Sequence, residues 1–194
     1  MKIKKTRTTR ESEVKVTIEA GPKRDFIIDT SICFFNHMIE TIAWRACMNI
    51  DASYQNTQFR LTHVICEDVG IVMGCAFKEM AEKSPGVNAN GASICGIDEA
   101  MVAVAVSFEG RANTYLNIDV PGAKIEQVED MLASDLREFF MGFAQGARCT
   151  INIKAFSGEN PHHIWEAIFR AFGQALQECF KKNEWRTTPG VKGK

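Results

Sequence analysis

One helical pattern is written twice in this chain. Ile65, Val69, Val72, Met73, Ala76 and Met80 make a single apolar stripe at the spacing of an amphipathic helix. Ile164, Ile168, Ala171, Phe172, Ala175 and Cys179 repeat that stripe 99 positions later, with Gly74 matched by Gly173 and Glu79 by Glu178. A repeat of this kind restricts the chain to folds built from two copies of one unit. Alternating apolar and polar residues predict strands over 14–19, 25–29 and 48–54, and helices over 34–46 and 63–82. The second half predicts strands over 101–108, 113–119 and 149–155, and helices over 126–147 and 162–181. Both halves therefore follow the order β-β-α-β-α, an α+β architecture. At 194 residues the chain reads as a single compact unit, 1–194, made of two pseudo-repeats at about 1–92 and 93–194.

The chemistry follows the repeat. The chain has four histidines, and three of them occupy repeat-related clusters: His63-Val64-Ile65-Cys66-Glu67 and His162-His163-Ile164-Trp165-Glu166. With ~100° between successive helical residues, a histidine and the glutamate four positions on lie within ~40° of each other. Both pairs point away from the apolar stripe of their own helix, on the face that carries Gly70 and Gly74, where another backbone can approach. This places the site between elements or between subunits rather than inside one half. Imidazole with carboxylate suits Mn²⁺, Fe²⁺ or Zn²⁺. Taken alone, the His162-His163 pair behind Asn160-Pro161 is as well explained as a helix-start hydrogen-bonding group. His37 alone reads as a core histidine.

Composition narrows the partners. Near-zero net charge and ordinary hydrophobic content give no footprint for nucleic acid and no membrane-surface patch. The N-terminal Met1-Lys2-Ile3-Lys4-Lys5 has no apolar stretch behind it, and no run approaches the ~20 apolar residues needed to cross a bilayer. Seven cysteines are scattered without a Cys-x-x-Cys pair, the pattern of reduced, buried thiols in a cytoplasmic protein. The basic tail (Lys181, Lys182, Arg186, Lys192, Lys194) suits an anionic small molecule or a solvated end.

A further set of segments extends along the whole chain: Arg7-Thr8-Thr9-Arg10-Glu11-Ser12, Phe34-Phe35-Asn36-His37-Met38, His63 to Asp68, Ile97-Asp98-Glu99-Ala100, Glu109-Gly110-Arg111, Ser157 to His163, and Pro189-Gly190-Val191-Lys192-Gly193. In content, order and spacing they resemble the imidazoleglycerol-phosphate dehydratase family of histidine biosynthesis. The resemblance implies two mixed sheets with the helices packed between them, a fold of the imidazoleglycerol-phosphate dehydratase / ribosomal protein S5 domain 2-like type. It implies assembly into a large homo-oligomeric shell, of 24 subunits in the family, with metal sites between neighbours. It also implies a hydro-lyase that removes water from a small phosphate ester, imidazole glycerol phosphate, through an imidazolate stabilised by two manganese ions acting as Lewis acids. By the same resemblance His37, His63, Glu67, His162, His163 and Glu166 are metal ligands. Glu11, His37, Asp98 and Glu99 are catalytic, and Arg111 and Lys192 hold the phosphate, roles suited to a bidentate guanidinium and an ammonium.

The chain departs from the family pattern inside the site. Val64 stands for the second histidine of the first cluster, Asn152 for a histidine in Thr150-Ile151-Asn152-Ile153, Asn36 for an aspartate and Arg45 for a histidine. Ala89 replaces a phosphate-binding arginine, and Gly190 and Val191 replace Ser-Thr. Valine cannot coordinate a metal, and each lost charge-assisted hydrogen bond to phosphate is worth ~1.5–3 kcal/mol. Two function classes follow: a dehydratase with an adjusted site, or a divergent paralogue with degenerate metal and phosphate sites that lacks the activity or acts on another ligand.

Overall fold

Val14, Val16 and Ile18 alternate with solvated residues along their strand and are fully buried, as the period-two pattern requires. A computed structural model describes residues 1–56 and 60–186. The first half runs β1 (Lys2–Thr8), β2 (Ser12–Glu19), β3 (Ile28–Asp29), α1 (Cys33–Ala46), β4 (Asn49–Asn56) and α2 (Thr62–Glu82). The second runs β5 (Asn90–Ile97), β6 (Ala100–Ser107), β7 (Asn113–Asn117), a short 3-10 turn (Pro121–Lys124), β8 (Gln127–Val128), β9 (Met131–Leu132), α3 (Ala133–Ala147), β10 (Thr150–Ser157) and α4 (Pro161–Cys179). The first sheet has the order β1-β2-β4-β3 and the second β5-β6-β10-β7. In each, the first three strands are antiparallel and the last pairs in parallel. The duplication read from the helices thus extends to strand order and direction.

Each half has one leading strand more than its alternation predicts. β1 escapes the pattern because its inward positions beyond Ile3 are charged. Lys5 reaches Glu79 at 2.5 Å and Arg7 pairs with Asp68, both on α2, so ion pairs take the place of apolar contacts. β5, with two glycines and several small residues, has weak strand propensity and is held by its pairing to β6. The predicted strand 25–29 shortens to Ile28–Asp29. The predicted helix 126–147 begins only at Ala133. The residues before it form the β8–β9 hairpin, whose turn places Glu129 at φ 50°. Here a tertiary contact overrides helical spacing: the Asp130 carboxylate accepts from the backbone N–H groups of Cys33 (2.7 Å) and Phe34 (3.0 Å), capping α1.

The helices occupy the space between the sheets and exchange partners between halves. α2 packs on β1 and β2 and against α3, whereas α4 packs on β5 and β6 and against α1. Every residue of both apolar stripes is buried. Phe139 lies where the helices converge, 5.5 Å from Phe35 of α1 and stacked at 5.4 Å on Phe169 of α4. Both α1 and α3 end in a left-handed residue, Cys47 and Arg148, followed by the same backbone bond from Met48 to Ala43 and from Cys149 to Ala144.

The α2–α3 crossing is made by glycines. Gly70 and Gly74 face the carbonyls of Phe139 and Phe143, while Gly142 and Gly146 face those of Glu67 and Ile71. A Cβ on any of them would sit 2.1–2.4 Å from a carbonyl oxygen. The backbone approach expected at Gly70 and Gly74 therefore comes from α3 of the same chain. Gly146→Ala is expected to lower stability by ~1–3 kcal/mol through overpacking. Gly21→Ala, which meets nothing within 4 Å, should shift the urea unfolding midpoint far less.

Candidate metal centre

α4 begins where Pro161, at the first helical position, fixes the backbone and the Asn160 side chain accepts from the His162 N–H at 2.9 Å. This start sets His162, His163 and Glu166 on the helix's first turns. α1 brings His37 to the same place, so His37, His162 and Glu166 each offer one ligand atom within 4.8 Å of the others. Glu166 Oε2 faces His162 Nε2 at 3.2 Å and His37 Nε2 at 3.7 Å. Its other oxygen, Oε1, accepts from Arg170 Nε (2.9 Å) and Nη2 (2.6 Å). Burial pushes the Glu166 carboxyl up, but Arg170, His37 and His162 together hold it below the usual value. Glu166 is thus a buried carboxylate with one oxygen held by Arg170 and the other turned to the two imidazoles.

The histidines are oriented from behind. His162 Nδ1 lies 2.8 Å from Glu129 Oε1, on the β8–β9 turn, which leaves Nε2 toward Glu166. A carboxylate on the far nitrogen is the usual arrangement for a metal-binding imidazole. Glu129 is a site residue that the sequence pattern misses, because its turn lies inside a stretch that reads as helix. His163 repeats the arrangement, with Nδ1 2.7 Å from Glu99 Oε2 and Nε2 3.4 Å from Asp98 Oδ2. Glu99 Oε1 also accepts from the N–H groups of Glu159 (3.0 Å) and Asn160 (2.8 Å), so this carboxylate ties β5–β6 to the start of α4. Those backbone bonds, led by Asn160, and His163 hold the Glu99 carboxyl down at about 2. The bond to Glu99 raises His163.

Other expected site residues lie elsewhere. His37 is nearly half exposed, so it is not a core histidine. His63 and Glu67, on the first turns of α2, do not join the His37–His162–Glu166 group among the described residues. Glu11 sits on the exposed β1–β2 turn and Arg111 in the loop just before β7, paired with Glu109 at 2.5 Å. Arg111 and the first turn of α4 are at opposite ends of β10, whose eight residues at ~3.3 Å each separate them by ~25 Å. Lys192, Gly190 and Val191 lie outside the described residues.

The departures are also dispersed. Asn152 projects from the outer face of the second sheet, opposite the helices, into a shallow concavity of about 740 Å³ lined also by Ile94 and Tyr115. It is not a missing partner of His162 within this chain. Asn36 takes a structural role, its Oδ1 accepting from the Thr30 N–H (2.8 Å) and hydroxyl (2.6 Å). Ala89 is buried at φ 57°, its N–H bonded to the Cys179 carbonyl at 2.8 Å. Arg45 packs beside Gly173 on the α1–α4 crossing.

The family model for imidazoleglycerol-phosphate dehydratase matches residues 30–176. The imidazoleglycerol-phosphate dehydratase of Caldicellulosiruptor bescii is 36% identical over 173 residues, 89% of this chain and 88% of that protein. That of Methanocella arvoryzae is 34% identical over 187 residues, 96% and 95% of the two chains. Among solved structures, imidazoleglycerol-phosphate dehydratase from Staphylococcus aureus superposes with a TM-score of 0.82 at 27% identity, covering 94% of this chain and 100% of the other. The Pyrococcus furiosus enzyme superposes with a TM-score of 0.77 at 33% identity, covering 92% and 94%.

The His163–Glu99 pair makes pH a probe of the site. Its folded His163 value is raised, so the histidine's contribution to stability is complete below about pH 6.5 and is lost as pH rises through the folded value. NMR titration of the metal-free protein should show His163 above the ordinary range, and Glu99→Gln should return it there. An unshifted His163 in the wild type would contradict the pairing.

Proposed function

The chain belongs to the imidazoleglycerol-phosphate dehydratase family, and we propose that it carries out that family's reaction, converting imidazole glycerol phosphate to imidazole acetol phosphate in histidine biosynthesis. The observation that carries this reading is the convergence of His37, His162 and Glu166 from opposite halves of the chain. In the reaction one C–H bond and the neighbouring C–OH bond break, a C=C bond forms, and the proton and hydroxyl leave as water. The resulting enol becomes the ketone.

Two imidazole nitrogens and one carboxylate oxygen suit a divalent transition metal, and manganese is our assignment. When bound, the ion supplies Lewis-acid stabilisation of negative charge. Glu129 keeps His162 Nε2 facing the cluster, and Arg170 holds one Glu166 oxygen so that the other faces the imidazoles. Asp98 and Glu99 hold His163 in place, while Glu11 moves the proton. Arg111 and Lys192 bind the phosphate. Because Arg111 stands a strand's length from the cluster, its phosphate belongs to the site of a neighbouring copy.

Self-association into a shell like the family's 24-subunit assembly is part of the same proposal. The outer face of the first sheet carries Lys2, Lys4, Lys15 and Asp51, whereas that of the second exposes Ile94 (66%), Tyr115 (55%), Phe156 (50%) and Met101 (45%). An apolar face of this kind is suited to being covered. No helix among the described residues is long and apolar enough to cross a membrane. We place the protein in the cytoplasm, where its seven unpaired cysteines stay reduced.

With Val64 lacking a donor on α2, we propose a single tightly held ion per chain. Dialysed protein should retain about one manganese by elemental analysis, and His162→Ala should lose most of it and, with it, turnover of imidazole glycerol phosphate by ~100-fold or more. Absence of turnover by manganese-loaded wild type would sink the proposal. By light scattering, Ile94→Lys/Phe156→Lys should yield a smaller particle than the wild type.

A further inference from the structure

Asp68 follows the α2 candidate ligand Glu67 directly, yet it points the other way, into the protein, and is 5% exposed. Its Oδ2 accepts from the fully buried Ser12 hydroxyl and its Oδ1 from the Arg7 guanidinium. Arg7 is near the end of β1 and Ser12 opens β2, so one buried carboxylate grips both sides of the β1–β2 turn. Thr9 stiffens the turn from within: its Oγ1 accepts from the N–H groups of Glu11 (3.1 Å) and Ser12 (3.0 Å) and lies 3.2 Å from the Ser12 hydroxyl. The exposed residues of this turn are Arg10 and Glu11, and Glu11 carries its carboxylate.

The Tyr54 hydroxyl is a second feature of the same place. It is buried, finds no hydrogen-bond partner among the described residues, and is raised by burial, with the charges of Asp68 and Glu11 adding to the effect. Behind the turn Asp68 joins Ser12 and Arg7, and Tyr54 adds a buried hydroxyl that feels the charges of Asp68 and Glu11.

We infer that Asp68 is a positioning residue. It locks the Glu11 turn to the start of α2, so that the Glu11 carboxylate and the His63/Glu67 face hold a fixed relation. This inference rests on the proposed dehydratase function, in which Glu11 moves the proton. Groups that carry protons must be placed to within a fraction of an ångström, and their supports set that precision. Asp68→Asn keeps the size of the side chain but removes its charge and replaces one acceptor by a donor, so Arg7 loses its ionic partner and the Ser12 hydroxyl must turn from donating to accepting.

The test combines hydrogen exchange with steady-state kinetics on the full-length, manganese-loaded protein. Asp68→Asn is expected to speed exchange of the Glu11 and Ser12 amides about tenfold or more, with the rest of α2 still protected. It should lower kcat by about tenfold or more with KM nearly unchanged. Arg7→Met, which removes one of the two groups that Asp68 grips, should do the same, and Arg7→Lys should restore both readings; this pair decides the matter if Asp68→Asn fails to fold. Unchanged exchange at Glu11 and Ser12, unchanged kcat, or loosening spread evenly along α2 would each overturn the inference. A wild type that turns nothing over would fail the dehydratase reading and this inference with it, whereas an active wild type with indifferent variants would fail the inference alone.

Discussion

The architecture depends on how closely two helices can approach. At the α2–α3 crossing, four glycines bring backbone against carbonyl, with no room for a single methyl group. α2 belongs to the first half and α3 to the second, so this contact fastens the halves together and sets the spacing of everything packed on them. The related α1–α4 crossing has Thr41 and Phe169 where its counterpart has Gly142 and Gly70, and keeps only Gly173. It is at this second crossing, with side chains in it, that His37, His162 and Glu166 meet. One pair of helices closes the core, and the equivalent pair carries the histidine–carboxylate cluster.

The site is organised by carboxylates more than by histidines. Glu129 and Glu99 each take the far nitrogen of one imidazole, Arg170 occupies half of Glu166, and Asp130, next to Glu129, caps the helix that carries His37. An ion at this centre meets a preformed set of ligands, which lowers the ordering cost of binding. The α2 counterpart lacks these features among the described residues. Val64 supplies no donor there, so the two repeat-related clusters have different chemistry on the same scaffold.

Much of the fold is legible in the sequence, because the apolar stripes of α2 and α4 and the alternation of β2, β4, β6 and β10 are local periodicities that burial imposes. What escapes is whatever a distant partner decides. β1 is a strand because Asp68 and Glu79 receive its arginine and lysine, and α3 starts late because Asp130 is needed at α1. At the site, the His-x-x-x-Glu spacing identifies α4, and His37 enters only through the family resemblance. Glu129 has no pattern of its own, since the role of a supporting carboxylate depends on where a hairpin points. The long reach to Arg111 is likewise a property of strand length and topology, invisible to motif matching.

The cap that Asp130 places on α1 has a consequence for synthesis. During translation the first half emerges with its α1 uncapped and without α4 to lie against, and its α2 exposes the glycine face that α3 will cover. Until the second half is made, the first ninety residues lack the cap on α1 and the helix partners of α1 and α2. Although the chain is a repeat, the helices of each half are covered by those of the other.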